Sequence, residues 1–406
     1  MRMQMTKVIS LSEEAYKNLK RLKRSGEFKE LKIAHFGNLA NDAFPIVQAL
    51  RKRQINADLY VYRPTHVCNL PQWEVCDLDV NDIGDPYNPD WEVLNKSFVQ
   101  PPWMQVLIFS QAKDVISKSL RIWKVISAMR KYDLIIAHYP FTKYAQFSFK
   151  PYISFDAGTI RYFKKNNLGM KFTRRGYSKA DAIIVTNPDT MDLFDKFKYK
   201  YYFIPFLIDI SRYKYEKPSE NLPYEYIFFM PSRQYWMEKG NNLFVEAFSQ
   251  FHKEYKDSVL VMCEWGPDLY KTKVLVKKLD IEKSVMWLPL MSKPRLIKWY
   301  NLSTVIADQF ILGSYGTAAP EAMACEKPVI MYISEKHYLR AFGEIPPVLN
   351  AKRKDDILEH MLMCTDSKFR IKIGQLSRKW VEKHHSPEVV INHHISVMSN
   401  VIQGVR

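Results

Sequence analysis

The chain has 406 residues and a mass of 48.0 kDa, too long for one ordinary core and suited to two domains of roughly 150–200 residues. Hydrophobic residues at 47% and charged residues at 25% exclude a chain that is mainly disordered, and the lack of any apolar run of about 18 residues excludes a predicted membrane-spanning helix. Sixty Lys and Arg against 43 Asp and Glu leave a net charge of +17, which favours anionic partners: phosphates, nucleic acid or an acidic membrane face.

The first thirty residues contain no apolar stretch of secretory-signal length. They read as a basic extension, with an amphipathic helix over 7–26. Five cysteines, Cys68, Cys76, Cys263, Cys325 and Cys364, form no CxxC pair and read as reduced thiols. A cytoplasmic protein is expected, with peripheral contact at an anionic membrane surface left open. A strand over 31–36 ends at Gly37, and apolar residues at helical spacing over 39–54 follow. After a strand at 57–62, residues 63–103 break the rhythm with six prolines and Trp73, Trp91 and Trp103. This stretch reads as a long irregular insertion of the kind that forms lids or binding loops.

Alternation then resumes: helix 111–131, strand 133–138, strand 152–155, a turn at 156–158, strand 182–186, helix 189–197 and strand 201–204. A polar linker with three prolines covers 205–224. A second series follows, with strands at 226–230, 258–263, 285–288, 304–308 and 328–332 separated by helical patterns. Residues 353–403 are mostly helical. Repeated βα units imply parallel sheets covered on both faces, so the expected fold class is α/β, two Rossmann-like domains facing each other. The boundaries are 31–207 and 208–385, with 386–406 as a closing helix. Six of thirteen glycines (Gly37, Gly158, Gly240, Gly266, Gly313 and Gly316) fall after predicted strands or at helix starts, where ligands approach backbone in open α/β sheets.

The sharpest candidate segment is 308–330, DQFILGSYGTAAPEAMACEKPVI. A strand ends near Asp308, and a helix starts near Gly316 and Thr317. Unpaired N–H groups at such a start bind phosphate, and Glu321, one turn in, is placed for ribose hydroxyls; a solvated Glu is the plain alternative. Residues 159–179 carry seven basic residues and no acidic one, interleaved with Tyr162, Phe163, Phe172 and Tyr177. They read as a solvated basic loop or as a contact for a phosphorylated acceptor. The histidine pairs at 384–385 and 393–394 lack the ligand spacing of a metal site. No metal or cofactor is expected, and nucleic acid is not an expected partner.

These segments together resemble the family-four retaining glycosyltransferases of the GT-B fold. GSYGTAAPEAMACEKPVI is similar to the family's donor-binding loop and helix. PSRQYWMEKGNNLFVEAF, VLVMCEWGPD, VMWLPLMSKPRLIKWYNLSTVIAD and FIPFLIDISRY resemble further family motifs, and they keep the family's order. The resemblance implies sugar transfer from a nucleotide-sugar donor to a glycan or lipid-linked acceptor, with retention. By the same resemblance Arg233 and Lys239 bracket the donor diphosphate, and Glu321 holds the ribose. Ser314, Tyr315, Gly316 and Thr317 form the donor loop, and Glu264 lines the base pocket. Gly37 and Asn38 approach the sugar diphosphate. Asp156 is the candidate base, and Arg161, Lys164, Lys165, Arg174 and Arg175 face the acceptor or its phosphate.

Two positions depart from the family pattern. Gly313 stands where the first Glu of E-x7-E belongs, and Ala157 replaces a family His. Gly313 is kept as a donor-loop residue, with the sugar contact then falling to backbone, Asp308, Gln309 or water. The alternatives are a nucleotide-sugar 2-epimerase of the same fold and a binding protein for anionic polymer or membrane.

Overall fold

A computed structural model describes residues 31–109, 115–164, 167–220 and 222–404; the predicted N-terminal extension and Lys165 lie outside the described residues. The first sheet contains Ile33–Phe36 (β1), Ala57–Arg63 (β2), Met104–Ile108 (β3), Leu134–His138 (β4), Tyr152–Asp156 (β5), Ala182–Val185 (β6) and Tyr202–Phe203 (β7). Its order is β3-β2-β1-β4-β5-β6-β7, with every pairing parallel. The second sheet contains Tyr226–Met230 (β8), Ser258–Cys263 (β9), Val285–Leu288 (β10), Val305–Ala307 (β11), Val329–Met331 (β12) and Leu349–Asn350 (β13). It runs β10-β9-β8-β11-β12-β13, again all parallel.

Strand alternation explains the layers. Ile33 joins the core on one face of the first sheet while Ala34 and Phe36 join the core on the other. Ile227 and Phe229 likewise face away from Tyr226, Phe228 and Met230. Burial on both faces is what near-continuous apolar strands require. Chain order reverses between β1 and β4 in one sheet and between β8 and β11 in the other, so each sheet has a switch point at its C-terminal strand ends. The helix Pro387–Ile402 returns to the first sheet, where Val390, Ile391 and Ile395 share a core with Ile33, Phe44 and Val47. Among the described residues no helix is long and apolar enough to cross a membrane.

The structure adds the helix Glu335–Phe342 and the edge strand β13 to the elements read from the sequence, and it differs further in three places. β3 was not predicted; it is an edge strand at the exit of a proline-rich stretch, and Gln105 and Ile108 on it are exposed. The stretch 63–103 is not irregular. It holds short helices, Pro71–Val75, Val80–Ile83 and Trp91–Lys96, around a small core of Val67, Leu70, Trp73, Ile83 and Leu94. Leu290 from the second domain completes that core, and Asp79 pairs with Met291 in an antiparallel bridge. Third, much of the basic segment 159–179 is the helix Leu168–Lys179, capped by Asn167 and seated by buried Thr173, Gly176 and Tyr177.

Candidate active site

The two switch points open on one cavity of about 800 Å3. From the second domain, Ser232 and Arg233 follow β8, Asp308 and Gln309 follow β11, and Tyr315–Ala318 form the start of the next helix; all line the space. From the first domain come Leu39–Asp42 after β1, Tyr139 and Lys143 after β4, and Ala157, Gly158, Thr159 and Arg161 after β5. Cys68 and Trp73 of the insertion join Cys263, Trp265, Leu290 and Met291 in an apolar end. His66 stacks on Trp265 there, with ring centroids 5.6 Å apart.

The cations in the wall hold resident carboxylates. Lys239 Nζ lies 3.6 Å from Asp308 Oδ1 and donates to Gln309 Oε1 at 3.1 Å. Asp308 Oδ2 accepts from Gly316 N at 2.9 Å, so a carboxylate already occupies one of the N–H groups at the predicted anion site. Arg233 donates to Glu238 at 2.5 Å and is 39% exposed, free enough to change partner. Lys293 Nζ donates to Glu321 Oε1 and, at 3.4 Å, to Thr317 Oγ1. Burial works against its charge, but Glu321 and Glu74 outweigh that and hold its pKa above the ordinary lysine value.

Of the sequence-derived candidates, Arg233, Lys239, Tyr315, Gly316, Thr317 and Arg161 line the cavity. Arg161 does so while bound to Asp189 through two hydrogen bonds, at 2.7 and 2.9 Å. The others lie elsewhere, each for a local reason. Glu321 is 3% exposed and lines only a small cavity of about 40 Å3 beside the large one, its oxygens taken by Lys293 and by Tyr300 OH at 2.9 Å; Lys293, not Glu321, faces the large cavity. Glu264 is bound to Lys273 at the surface. Gly313 has φ +67°, and a Cβ there would come 3.0 Å from Tyr332 Cε1, so no side chain can project from it into the cavity. Ser314 is fully buried outside the wall.

Asp156, the candidate base, is a buried turn carboxylate. It accepts from Gly158 N at 2.7 Å, Ile160 N at 3.0 Å and Tyr177 OH at 2.6 Å, which fixes the loop bearing Arg161. Burial raises its pKa against the pull of these donors. Gly37, at φ +97°, lets the loop after β1 lie against β4, where a Cβ would meet His138 Cβ at 3.0 Å. Asn38 Oδ1 accepts from Ala43 N and Phe44 N, capping the helix Ala43–Lys52. Arg174 donates to Phe163 O, while Lys164 and Arg175 are exposed on the outer face.

The residues that motif reading missed are Asp42, Lys143, Lys293 and Trp73. Lys293 sits inside a segment quoted for its likeness to the family, SKPRLIKWY, and the start of a helix after β10 was the available signal. Nothing local marks the other three.

Residues 213–337 match the family model for glycosyl transferases group 1. That match lies within the second domain, and the two facing sheets together have the GT-B fold. Solved structures agree on the fold. The Anabaena protein HepE, solved in complex with UDP and glucose, superposes with a TM-score of 0.66 at 14% identity, covering 91% of this chain and 100% of that one. Sucrose-phosphate synthase from Thermosynechococcus elongatus gives 0.66 at 14% identity, with 92% and 100% covered. A putative UDP-N-acetylglucosamine 2-epimerase from Listeria monocytogenes gives 0.57 at 11% identity, with 93% and 98% covered. No curated protein matches the chain in sequence.

Proposed function

We propose that the protein transfers a sugar, of the hexose class, from a nucleotide-sugar donor to an acceptor hydroxyl, with retention of configuration. The observation that carries this reading is a cavity of about 800 Å3 between two parallel-sheet switch points, with Lys239 and Arg233 in its wall. A departing nucleoside diphosphate accumulates negative charge, and preorganised cations in a water-poor cleft stabilise that charge. On this reading the diphosphate displaces Glu238 from Arg233 and shares Lys239 with Asp308. The ribose lies toward Lys293, and the base lies in the apolar end formed by Trp265, Leu290 and Met291. The acceptor, a glycan or lipid-linked glycan, enters along the first-domain wall past Lys143 and Arg161. Retention rests on the motif resemblance. HepE was solved with UDP and with UDP-glucose, which makes UDP the first nucleotide to try.

A thermal-shift panel of UDP, GDP, ADP and their sugar conjugates tests the reading. Ligand at about 100 times its Kd adds about 2.7 kcal/mol of stability, so one nucleotide series should raise the melting temperature. No shift with any member would overturn the proposal. Incubating the bound nucleotide sugar without acceptor is the control for the 2-epimerase reading, which predicts an epimer of the intact donor.

A further inference from the structure

The carboxylates in the cavity wall are not equivalent. Asp308 is held by Lys239 and Gly316 N, and Glu238 by Arg233 and Tyr162 OH. Asp42 has no cation of this kind. It is the residue before the helix Ala43–Lys52, where an Asp ordinarily caps the free N–H groups, yet its side chain makes no cap bond because Asn38 has taken that place. Its side chain is 3% exposed, and neither oxygen accepts a hydrogen bond. The neighbouring group is an imidazole: His138 Nδ1 lies 3.2 Å from Asp42 Oδ1. The contact is not a formed hydrogen bond, since His138 Nδ1 and both Asp42 oxygens lack a partner, but Nδ1 is the group placed to donate to that carboxyl. His138 Nε2 is then the acceptor for His35 Nδ1, 3.1 Å away. Two buried histidines at the ends of β1 and β4 thus flank one carboxylate at the cavity edge whose oxygens are left without donors, an expensive arrangement unless a ligand supplies them.

Position selects the donors. Asp42 lines the large cavity and also a smaller one of about 40 Å3 beside it, sharing the second with Thr317 and Lys293 of the opposite domain. Thr317 follows Gly316, where a Cβ would lie 3.7 Å from Lys239 Nζ, so Asp42 faces the helix start beside the proposed diphosphate, with Lys293 and Glu321 marking the ribose side. The group attached to that diphosphate, reaching toward the first domain, is the sugar. The second domain has no side chain to offer from position 313, where glycine packs on Tyr332. Resting on the nucleotide-sugar reading, we infer that Asp42 is the carboxylate that binds a hydroxyl of the donor sugar, with His138 and His35 as positioning residues.

The test compares binding of a nucleotide sugar with binding of its nucleoside diphosphate. For the pair that wild type binds best among UDP/UDP-glucose, GDP/GDP-mannose and ADP/ADP-glucose, calorimetry on Asp42→Asn should leave the diphosphate affinity within about twofold. Affinity for the sugar conjugate should fall about tenfold or more, and kcat/KM for transfer or donor hydrolysis about 10²-fold. His138→Asn, whose amide can donate from near the Nδ1 position, should retain more sugar discrimination than His138→Phe. Equal losses for the diphosphate and the conjugate would assign Asp42 to the fold alone and overturn the inference. So would unchanged affinity for the conjugate. Failure of wild type to bind any member would instead remove the nucleotide-sugar reading on which the inference rests.

Discussion

The two sheets bring equivalent edges to the cavity, and the walls they build there are made differently. Around β8 and β11 the wall comes from short segments directly after the strands: Arg233 and Lys239, Asp308 and Gln309, Gly316 and Thr317. Each cation there already has a carboxylate or amide partner. Around β1 and β4 the wall is composite. Asp42 is backed by histidines, Arg161 is fixed by Asp189, and Cys68 and Trp73 arrive from an insertion with a core of its own. The contrast teaches that charge for a constant group, a diphosphate, can be stored in local sequence. Contacts for a variable group must be gathered from distant segments.

The sharpest way to break that contrast is Lys239→Ala. If the second-domain wall carries the developing charge, kcat/KM falls by about 10²–10³-fold in steady-state kinetics, and a loss under threefold would move the charge-bearing role elsewhere. Acid comes next. Burial pushes the pKa of His385 and of His394 down from 6.5 to about 3. Below pH 6.5 the unfolded chain binds protons that these folded imidazoles refuse, so stability is full above that pH. It falls toward pH 3 by up to about 1.4 kcal/mol per pH unit for each group. Thermal unfolding from pH 8 to pH 4 measures this. His394 stacks on Phe155 of the first sheet and His385 meets Phe206 O at 2.7 Å between the domains, so His394→Gln should flatten only part of the slope and thereby separate the two regions.

The smallest effect belongs to Arg295→Ala. This residue ties the second domain to Asp77, Asp79 and Asp82 of the insertion. At 31% exposure its pairs are partly screened, so a loss of about 0.2–1 kcal/mol in urea unfolding is expected. Limited proteolysis should nonetheless cut within 63–103 faster, because the core beneath is small.

What was legible in the sequence follows the same division. β8 to β12 announce themselves as apolar runs, those of β8, β9 and β11 followed by glycine-bearing segments, and the motifs name Arg233, Lys239, Gly316 and Thr317, which line the cavity. Glu321 reads as a ribose ligand from its spacing and Asp156 as a candidate base from the resemblance, but neither signal reveals that Lys293, Tyr300 and Tyr177 are already bonded to them. The insertion looked irregular because prolines obscure periodicity, although Pro71 at a helix start is fully compatible with the first turn. Asp42 was invisible for a subtler reason. It occupies an ordinary capping position, and only the three-dimensional fact that Asn38 caps the helix instead leaves its carboxylate free.

The helix Pro387–Ile402 has a bearing on how the molecule is made. Its Val390, Ile391 and Ile395 complete the hydrophobic layer under β1, and Arg53 reaches across to Asn392. During synthesis the first sheet emerges early, yet its underside, covered only in part by the helix Ala43–Lys52, is not closed until the whole second domain has left the ribosome. The nascent chain thus carries an exposed greasy surface through most of translation, and the domain translated first is the one completed last.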